Sequence, residues 1–409
     1  MRQTVTAVRP QAAFPAARDG RTFRPDVEGL RAVAVGAVVL FHAGVPGIAG
    51  GYVGVDVFFV ISGFLITSLM LREVAATGRL SLARFYGRRA RRILPASALV
   101  LIVTTLAGYH WLGFLRGGEV AADATWAALF AANLRFAGQG VDYLASQAAP
   151  SPMQHFWSLA VEEQFYFVWP AALVVLLWCG RRRALHICLG VAVGASFALS
   201  AAQSGGTWSY FSPLTRAWEL GAGCLLALAA GRLGRIPDRL ATPMAGVGLA
   251  LIAVAAFTFD DTTMFPGYAA ALPVLGAVLV LAGRGDGVLG RAPLQWLGRL
   301  SYSLYLWHWP VLVIAAQAYG GTPPPPARAL LVLLSVALAA VTYVCLEDPI
   351  RRSGRLKRSH LLTLAVAILL IAAPVAVARW MTFTSPSAGA GDGAEYQPRL
   401  GAPVAHVQS

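Results

Sequence analysis

Apolar runs of about 17–25 residues recur along the whole chain, the length at which a helix crosses the hydrocarbon core of a bilayer. Inside lipid the backbone must satisfy its own hydrogen bonds, which leaves only helices and closed barrels. A spanning barrel would show segments of about ten residues that alternate apolar and polar, and these runs are continuous. The chain is therefore expected to be an all-α, polytopic membrane protein. Its 409 residues are 57% hydrophobic and 13% charged, whereas an average soluble domain carries about 25% charged residues.

Eleven spans can be read, over residues 32–45, 53–71, 93–113, 155–178, 184–202, 213–230, 242–258, 267–283, 300–318, 328–346 and 361–380. The stretch 119–137 contains Glu119, Asp123, Asn133 and Arg135. It is read as a long loop that could hold an interfacial helix. Residues 1–23 are polar and expected to be disordered on the cytoplasmic side, with no cleavable signal pattern. The Gly/Ala/Pro/Ser-rich tail 381–409 is expected to be disordered on the other side.

The formal net charge of +14 would suggest nucleic acid on a soluble protein. Here topology explains it, and no nucleic-acid partner is expected. If the N-terminus is cytoplasmic and the spans alternate, most of the 33 Lys and Arg residues fall on one side. They lie in segments 1–31, 72–92, 181–183, 231–240, 283–299 and 347–360, while the opposite loops hold only Arg116 and Arg135. That asymmetry is the positive-inside pattern. The basic residues are arginine with the exception of Lys357, in an Ala/Gly-rich chain. This composition points to a GC-rich bacterial genome and a plasma-membrane location. Cys179, Cys188, Cys224 and Cys345 lack metal-ligand spacing and are read as small core residues. No metal site is expected.

Ionisable residues inside spans are by default functional candidates. His42 lies near the outer end of the first span, in RAVAVGAVVLFH, and Asp56 near the outer start of the second. A glycine-rich connection joins the two spans, so the residues should share a depth. A carboxylate facing an imidazole can fix its tautomer for general-base work. The alternative is a histidine bonded to a neighbouring carbonyl and an aspartate capping a helix. Arg31 precedes His42 by eleven residues, about 16 Å along a helix. The two cannot touch, so Arg31 either serves another part of a long ligand or anchors topology.

Arg88, Arg89, Arg91 and Arg92 crowd the mouth of the third span in FYGRRARRILPA. Their planar forks suit phosphate oxygens, whether of a ligand or of lipid headgroups. Glu162 and Glu163 enter an aromatic helix side by side. Successive helical residues point about 100° apart, so one should serve a site and the other a structural pair. Arg216 and Glu219, at i,i+3 spacing, can pair on one helix face; they are read as the polar wall of a substrate cavity, with structural glue as the alternative. His308, among Trp307, Trp309, Tyr302 and Tyr305, is read as structural. LEDPIRR reads as an ion-paired stop.

Together these blocks resemble acyltransferase family 3 of integral membrane O-acyltransferases. The matching pieces are RPDVEGLRAVAVGAVVLFHAG, GGYVGVDVFFVISGFLI, FYGRRARRILPA, HFWSLAVEEQFYFVWP, SPLTRAWELGAG, LGRLSYSLYLWHWPVLV and LEDPIRR, over residues 24–352. The resemblance implies a core of ten spans over 24–352, to which residues 353–380 add a linker and an eleventh. It implies acyl transfer from a cytoplasmic acyl-CoA, used as co-substrate with no bound cofactor, to a sugar hydroxyl of a surface polysaccharide or glycosylated metabolite. Acetyl is the common acyl group. The family's Arg-x10-His motif falls on Arg31 and His42, its arginine block on Arg88, Arg89, Arg91 and Arg92, and its acidic pair on Glu162 and Glu163. His42 would take the hydroxyl proton with Asp56 orienting the ring, while Arg31 and the block hold the coenzyme A phosphates. Some members continue into an SGNH hydrolase-like domain, a pattern from which this chain departs.

A transporter or flippase coupled to protons would also use intramembrane His, Asp, Glu and Arg. Matched internal repeats are common in transporters, and no repeat is visible here. The acceptor and the oligomeric state are left open.

Overall fold

The computed structural model describes residues 24–140, 149–178, 182–233, 235–285 and 287–384. The expectations for residues 1–23, for most of the 381–409 tail and for Cys179 lie outside the described residues. The helices are α1 (Pro25–His42), α2 (Gly54–Thr77), α3 (Leu82–Ala128), α4 (Ala132–Gly138), α5 (Phe156–Trp178) and α6 (Arg182–Ala202). There follow α7 (Thr207–Phe211), α8 (Pro213–Leu233), α9 (Asp238–Thr258), α10 (Ala271–Gly283) and α11 (Ala292–Tyr319). The last are α12 (Pro325–Thr342), α13 (Asp348–Arg352), α14 (Gly354–Arg358) and α15 (His360–Phe383). A 3-10 turn precedes α2 (Gly51–Val53), and a π-helical turn (Tyr343–Glu347) links α12 to α13.

The protein is an all-α polytopic membrane protein, and each of the eleven expected spans falls on a helix. Seven helices among the described residues are long and apolar enough to cross a membrane by length and composition. The other runs lie on α1, α8, α10 and α11. The layout has a physical order. At the centre α1 packs between α11 and α2, and α2 packs in turn on α8, with α5 and α10 beside them. α6, α9, α12 and α15 expose leucine and valine side chains outward, as lipid requires.

Several boundaries differ from the sequence reading, each for a local reason. α1 begins at Pro25 rather than residue 32, so Arg31 is inside the helix and His42 is its last residue. Proline suits the first helical position, and Asp26 and Glu28 complement the helix dipole there. Asp26 is nearly buried, gripped by Arg24 at 2.8 Å, and Arg24 also donates to the Leu281 carbonyl at 2.8 Å. Polar residues at this end face protein, not lipid.

The stretch 119–137 is not a loop over most of its length. α3 runs on through it to Ala128, turning at Gly113, whose φ of 77° is a left-handed value that glycine adopts without strain. Beyond that turn the chain doubles back, with Val120 beside Gly108 and Gly117 beside Tyr109. Exposed Glu119 pairs with Arg116, and the other polar residues are paired against the protein. Arg135 donates to Asp123 at 2.9 Å, and Asn133 donates to the Phe211 carbonyl at 3.2 Å. Two cysteines also depart from expectation: Cys224 is buried, but Cys188 and Cys345 are exposed. α15 continues past residue 380 to Phe383.

The α2–α8 crossing depends on two glycines. A Cβ at Gly63 would collide with the Leu220 carbonyl oxygen, and one at Gly223 with the Val60 carbonyl oxygen. Backbone lies against backbone there, as in the small-residue contacts of membrane helices. Gly223→Val is therefore expected to abolish the monodisperse peak of detergent-purified protein in size-exclusion chromatography. An unchanged profile would mean that the two helices can separate freely.

Candidate functional site

A cavity of about 470 Å³ opens at the arginine-rich end of the bundle. Its α2 wall runs from Arg72 to Val55, about 25 Å of helical rise, most of the thickness of a hydrocarbon core of about 30 Å. Arg31 of α1, Arg88, Arg89, Arg91 and Arg92 of α3, Arg351 of α13 and Lys357 of α14 surround the mouth. Ser158 of α5, Phe58 of α2 and Tyr305 of α11 line the far part. The cavity is thus cationic at one end and aromatic at the other.

The cations at the mouth are not equivalent. Arg31 pairs with Glu28 at 3.2 Å, Arg88 with Glu73 at 2.8 Å, and Arg351 with Asp348. Arg89 donates to Glu163 at 2.8 Å and Glu162 at 3.3 Å, with its guanidinium 3.9 Å over the Tyr166 ring. Arg91 lies 3.3 Å from Thr363 Oγ1 and 3.4 Å from the Leu356 carbonyl. Arg72, Arg91, Arg92 and Lys357 have no carboxylate partner among the described residues. Arg92 is half-buried, with Arg31 and Arg89 as like charges acting on it and Glu347 of the π-helical turn offsetting them in part. Crowding like charges in a half-buried pocket is costly unless an anion joins them.

The question of the two adjacent glutamates has a geometric answer. Glu162 lines the cavity and accepts from Ser62 at 2.8 Å and Tyr166 at 2.5 Å. Glu163 binds Arg89 from the side and does not line the cavity. The guanidinium reaches both because it bridges the 100° between them.

At the aromatic end, the Ser158 and Tyr305 hydroxyls are 2.6 Å apart, and Tyr305 donates to the His155 carbonyl at 3.0 Å. Directly behind Tyr305 lies His308, ring centroids 5.5 Å apart. Its Nε2 is 3.0 Å from Nδ1 of His42. Trp309 packs edge-on against the His42 ring at 4.4 Å. The chain just past His42 is clamped from α12, where Arg328 donates to the Ala43 carbonyl at 2.7 Å and the Gly44 carbonyl at 3.0 Å. His42 is half-buried and does not line the cavity, whereas His308 is fully buried.

Two sequence expectations are corrected here. Asp56 does not face His42. It is fully buried and pairs with Arg216 at 3.0 Å, across the α2–α8 crossing. Arg216 also pairs with Glu219 at 2.9 Å, and all three side chains are wholly buried. Phe59, Trp157, Tyr210 and Phe265 surround the guanidinium at 5.4–5.6 Å. Arg216 and Glu219 therefore form no part of the cavity wall; with Asp56 they make a buried triad that ties helices together. The long arginine captures Asp56 because its backbone is brought close by Gly63 and Gly223.

Sequence reasoning gives Tyr305, Ser158, Arg72 and Lys357 no place in a site, and the structure puts all four on the cavity wall; His308, read as structural, meets His42. The i,i+3 spacing of Tyr302, Tyr305 and His308, which puts three polar rings on one helix face, was the available signal.

The comparisons with known proteins bear on the same region. The family model described as an acyltransferase domain, acyltransferase family 3, matches residues 24–344. The chain belongs to this family. The matched region of the acyltransferase family 3 domain holds every candidate residue named from the sequence, while Arg351 and Lys357 lie just beyond it. Among curated proteins, the chain is similar to the peptidoglycan O-acetyltransferase OatA of Listeria monocytogenes, with 32% identity over 360 residues. That match covers 82% of this chain and 57% of the relative. The putative peptidoglycan O-acetyltransferase YrhL of Bacillus subtilis is 34% identical over 359 residues, covering 81% of this chain and 55% of the relative. The O-acetyltransferase OatA of Staphylococcus aureus is 31% identical over 351 residues, covering 81% and 58%. The chain thus spans somewhat more than half the length of these relatives. No solved structure matches significantly.

Proposed function

We propose that the chain is a membrane O-acyltransferase that moves an acetyl group from cytoplasmic acetyl-CoA to a hydroxyl of a cell-envelope glycan, with His42 as general base. The observation that carries this reading is the polarity of the cavity: unpaired cations at its mouth, an apolar and aromatic shaft, and an imidazole pair behind its closed end. Coenzyme A has the matching order, phosphates first and a thioester on a long arm. Family membership and relatives named as O-acetyltransferases support the reaction class. Two of those relatives are named for peptidoglycan, which makes a glycan strand the acceptor to test first.

In this reading the arginine-rich face is cytoplasmic, as the charge asymmetry suggests. Arg91, Arg92 and Lys357 hold the diphosphate and 3′-phosphate, and the pantetheine arm lies along α2. Tyr305 closes the inner end, and rotation of its ring joins the cavity to His308 and His42. The acceptor comes from the opposite side, where His42 is half-buried. Its hydroxyl oxygen attacks the thioester carbonyl carbon while His42 Nε2 takes the proton. The new C–O bond forms, the C–S bond breaks, and the departing thiolate recovers the proton from His42 to leave as free CoA.

The test uses purified protein in liposomes with acetyl-CoA and muramyl-containing glycan fragments, read by mass spectrometry of the glycan. Acetylated product supports the proposal; acetyl-CoA left intact with every glycan acceptor contradicts it. Arg92→Ala is expected to raise the KM for acetyl-CoA about tenfold or more, the effect of one charge-assisted phosphate contact, with kcat little changed. An unaltered KM would remove Arg92 from the phosphate site.

A further inference from the structure

The hydrogen-bond directions around the two imidazoles determine where a proton sits. Nδ1 of His308 is 3.1 Å from the Leu304 carbonyl oxygen, one helical turn back in α11. A carbonyl oxygen only accepts, so Nδ1 of His308 carries a proton. His308 is wholly buried and has no carboxylate paired with it among the described residues. Its neutral form is therefore the resting one, because an uncompensated charge there costs too much. A neutral imidazole has one N–H and one lone pair, which leaves the lone pair of His308 on Nε2. That nitrogen faces Nδ1 of His42 at 3.0 Å. Two lone pairs cannot share this contact, so Nδ1 of His42 is the donor.

We infer that His308 is a positioning residue that fixes His42 as its Nδ1–H tautomer, leaving the basic lone pair on Nε2. This rests on the reading of His42 as general base and gives His308 the orienting place that the sequence reading assigned to Asp56. The relation is that of a catalytic histidine and its orienting carboxylate, with a neutral ring as the acceptor. The acceptor is held by the helix itself, through Leu304. Trp309, the next residue, packs on His42 and limits the rotation of its ring.

The inference is tested on the full chain in lipid, with 15N-labelled histidine and solid-state NMR. The His42 resonances are assigned by their loss in His42→Asn. Wild-type protein is expected to show His42 protonated at Nδ1. His308→Leu should release the Nε2–H tautomer. His308→Gln, whose side-chain carbonyl can accept near the former Nε2 position, should retain Nδ1–H. In turnover, His308→Leu should lose about 10²–10⁴-fold in kcat with the acetyl-CoA KM unchanged, and His308→Gln should recover most of that loss. Nε2–H in the wild type, or a His42 signal unmoved by His308→Leu, overturns the inference. The wild-type spectrum decides even if the leucine variant does not fold. A tautomer shift without any loss of turnover would leave the proton assignment standing and refute His42 as the base.

Discussion

His42→Ala is expected to lower acetyl transfer by roughly 10²–10⁴-fold, the range for loss of a positioned general base, while leaving acetyl-CoA affinity near wild type. The split follows from distance. Arg31 marks the mouth of the cavity, and His42 lies eleven residues further along the same helix, about 16 Å away. A ring at one end cannot contribute to phosphate binding at the other. The helix should survive the change, since His42 is its last residue and Arg328 holds the following carbonyls. The measurement pairs initial rates with acetyl-CoA binding by calorimetry. Wild-type rates in a folded variant would remove His42 from the chemistry. Lost binding with unaltered turnover per bound donor would place it in the donor site instead.

The second large effect concerns stability. Arg216→Met is expected to destabilise the protein by roughly 3–5 kcal/mol, the cost of removing one partner from a buried ion pair. Asp56 and Glu219 would remain, both wholly buried and without their counter-charge. The aromatic box of Phe59, Trp157, Tyr210 and Phe265 offers them no hydrogen bond in return, apart from tyrosine and indole edges. Thermal unfolding in detergent, followed by tryptophan fluorescence, measures the loss. The triple change Arg216→Met, Asp56→Leu, Glu219→Leu should recover much of it, because apolar replacement of a whole buried ion cluster is often close to neutral. If the single variant melts with the wild type, the triad is not what holds α2 to α8. If the triple variant is no better than the single, the loss comes from packing around the arginine.

The existence of the spans was legible because lipid allows few alternatives. Every apolar run coincides with a helix, and basic residues from three of the arginine-rich segments, Arg31, Arg72 with the α3 block, and Arg351 with Lys357, meet around the cavity mouth. Depth along a helix was legible too, since His42 and Asp56 do lie at the facing ends of α1 and α2. Azimuth was not. α2 is apolar all the way round, so periodicity does not mark which side Asp56 presents or which neighbour receives it. Its partner was decided by the close α2–α8 approach at Gly63 and Gly223, a contact between segments far apart in sequence.

The partner of His308 is hidden for a related reason. His308 stands among tryptophans and leucines that would bury any side chain, and the ring it meets across the α1–α11 contact, that of His42, belongs to a segment far away in sequence. The 119–137 segment reads as a loop with room for an interfacial helix because polar side chains usually mark loops. Asp123 and Arg135 satisfy each other, and Asn133 reaches the Phe211 carbonyl, so their helices can lie against the core.

The most direct measurement is an electron cryomicroscopy structure of the protein in lipid with a thioether analogue of acetyl-CoA. The phosphates are expected among Arg91, Arg92 and Lys357, the pantetheine arm along α2, Tyr305 turned aside, and the acyl carbonyl beside Nε2 of His42. Phosphates bound away from that mouth, or an acyl group halted on the arginine side of an unmoved Tyr305, would contradict this arrangement.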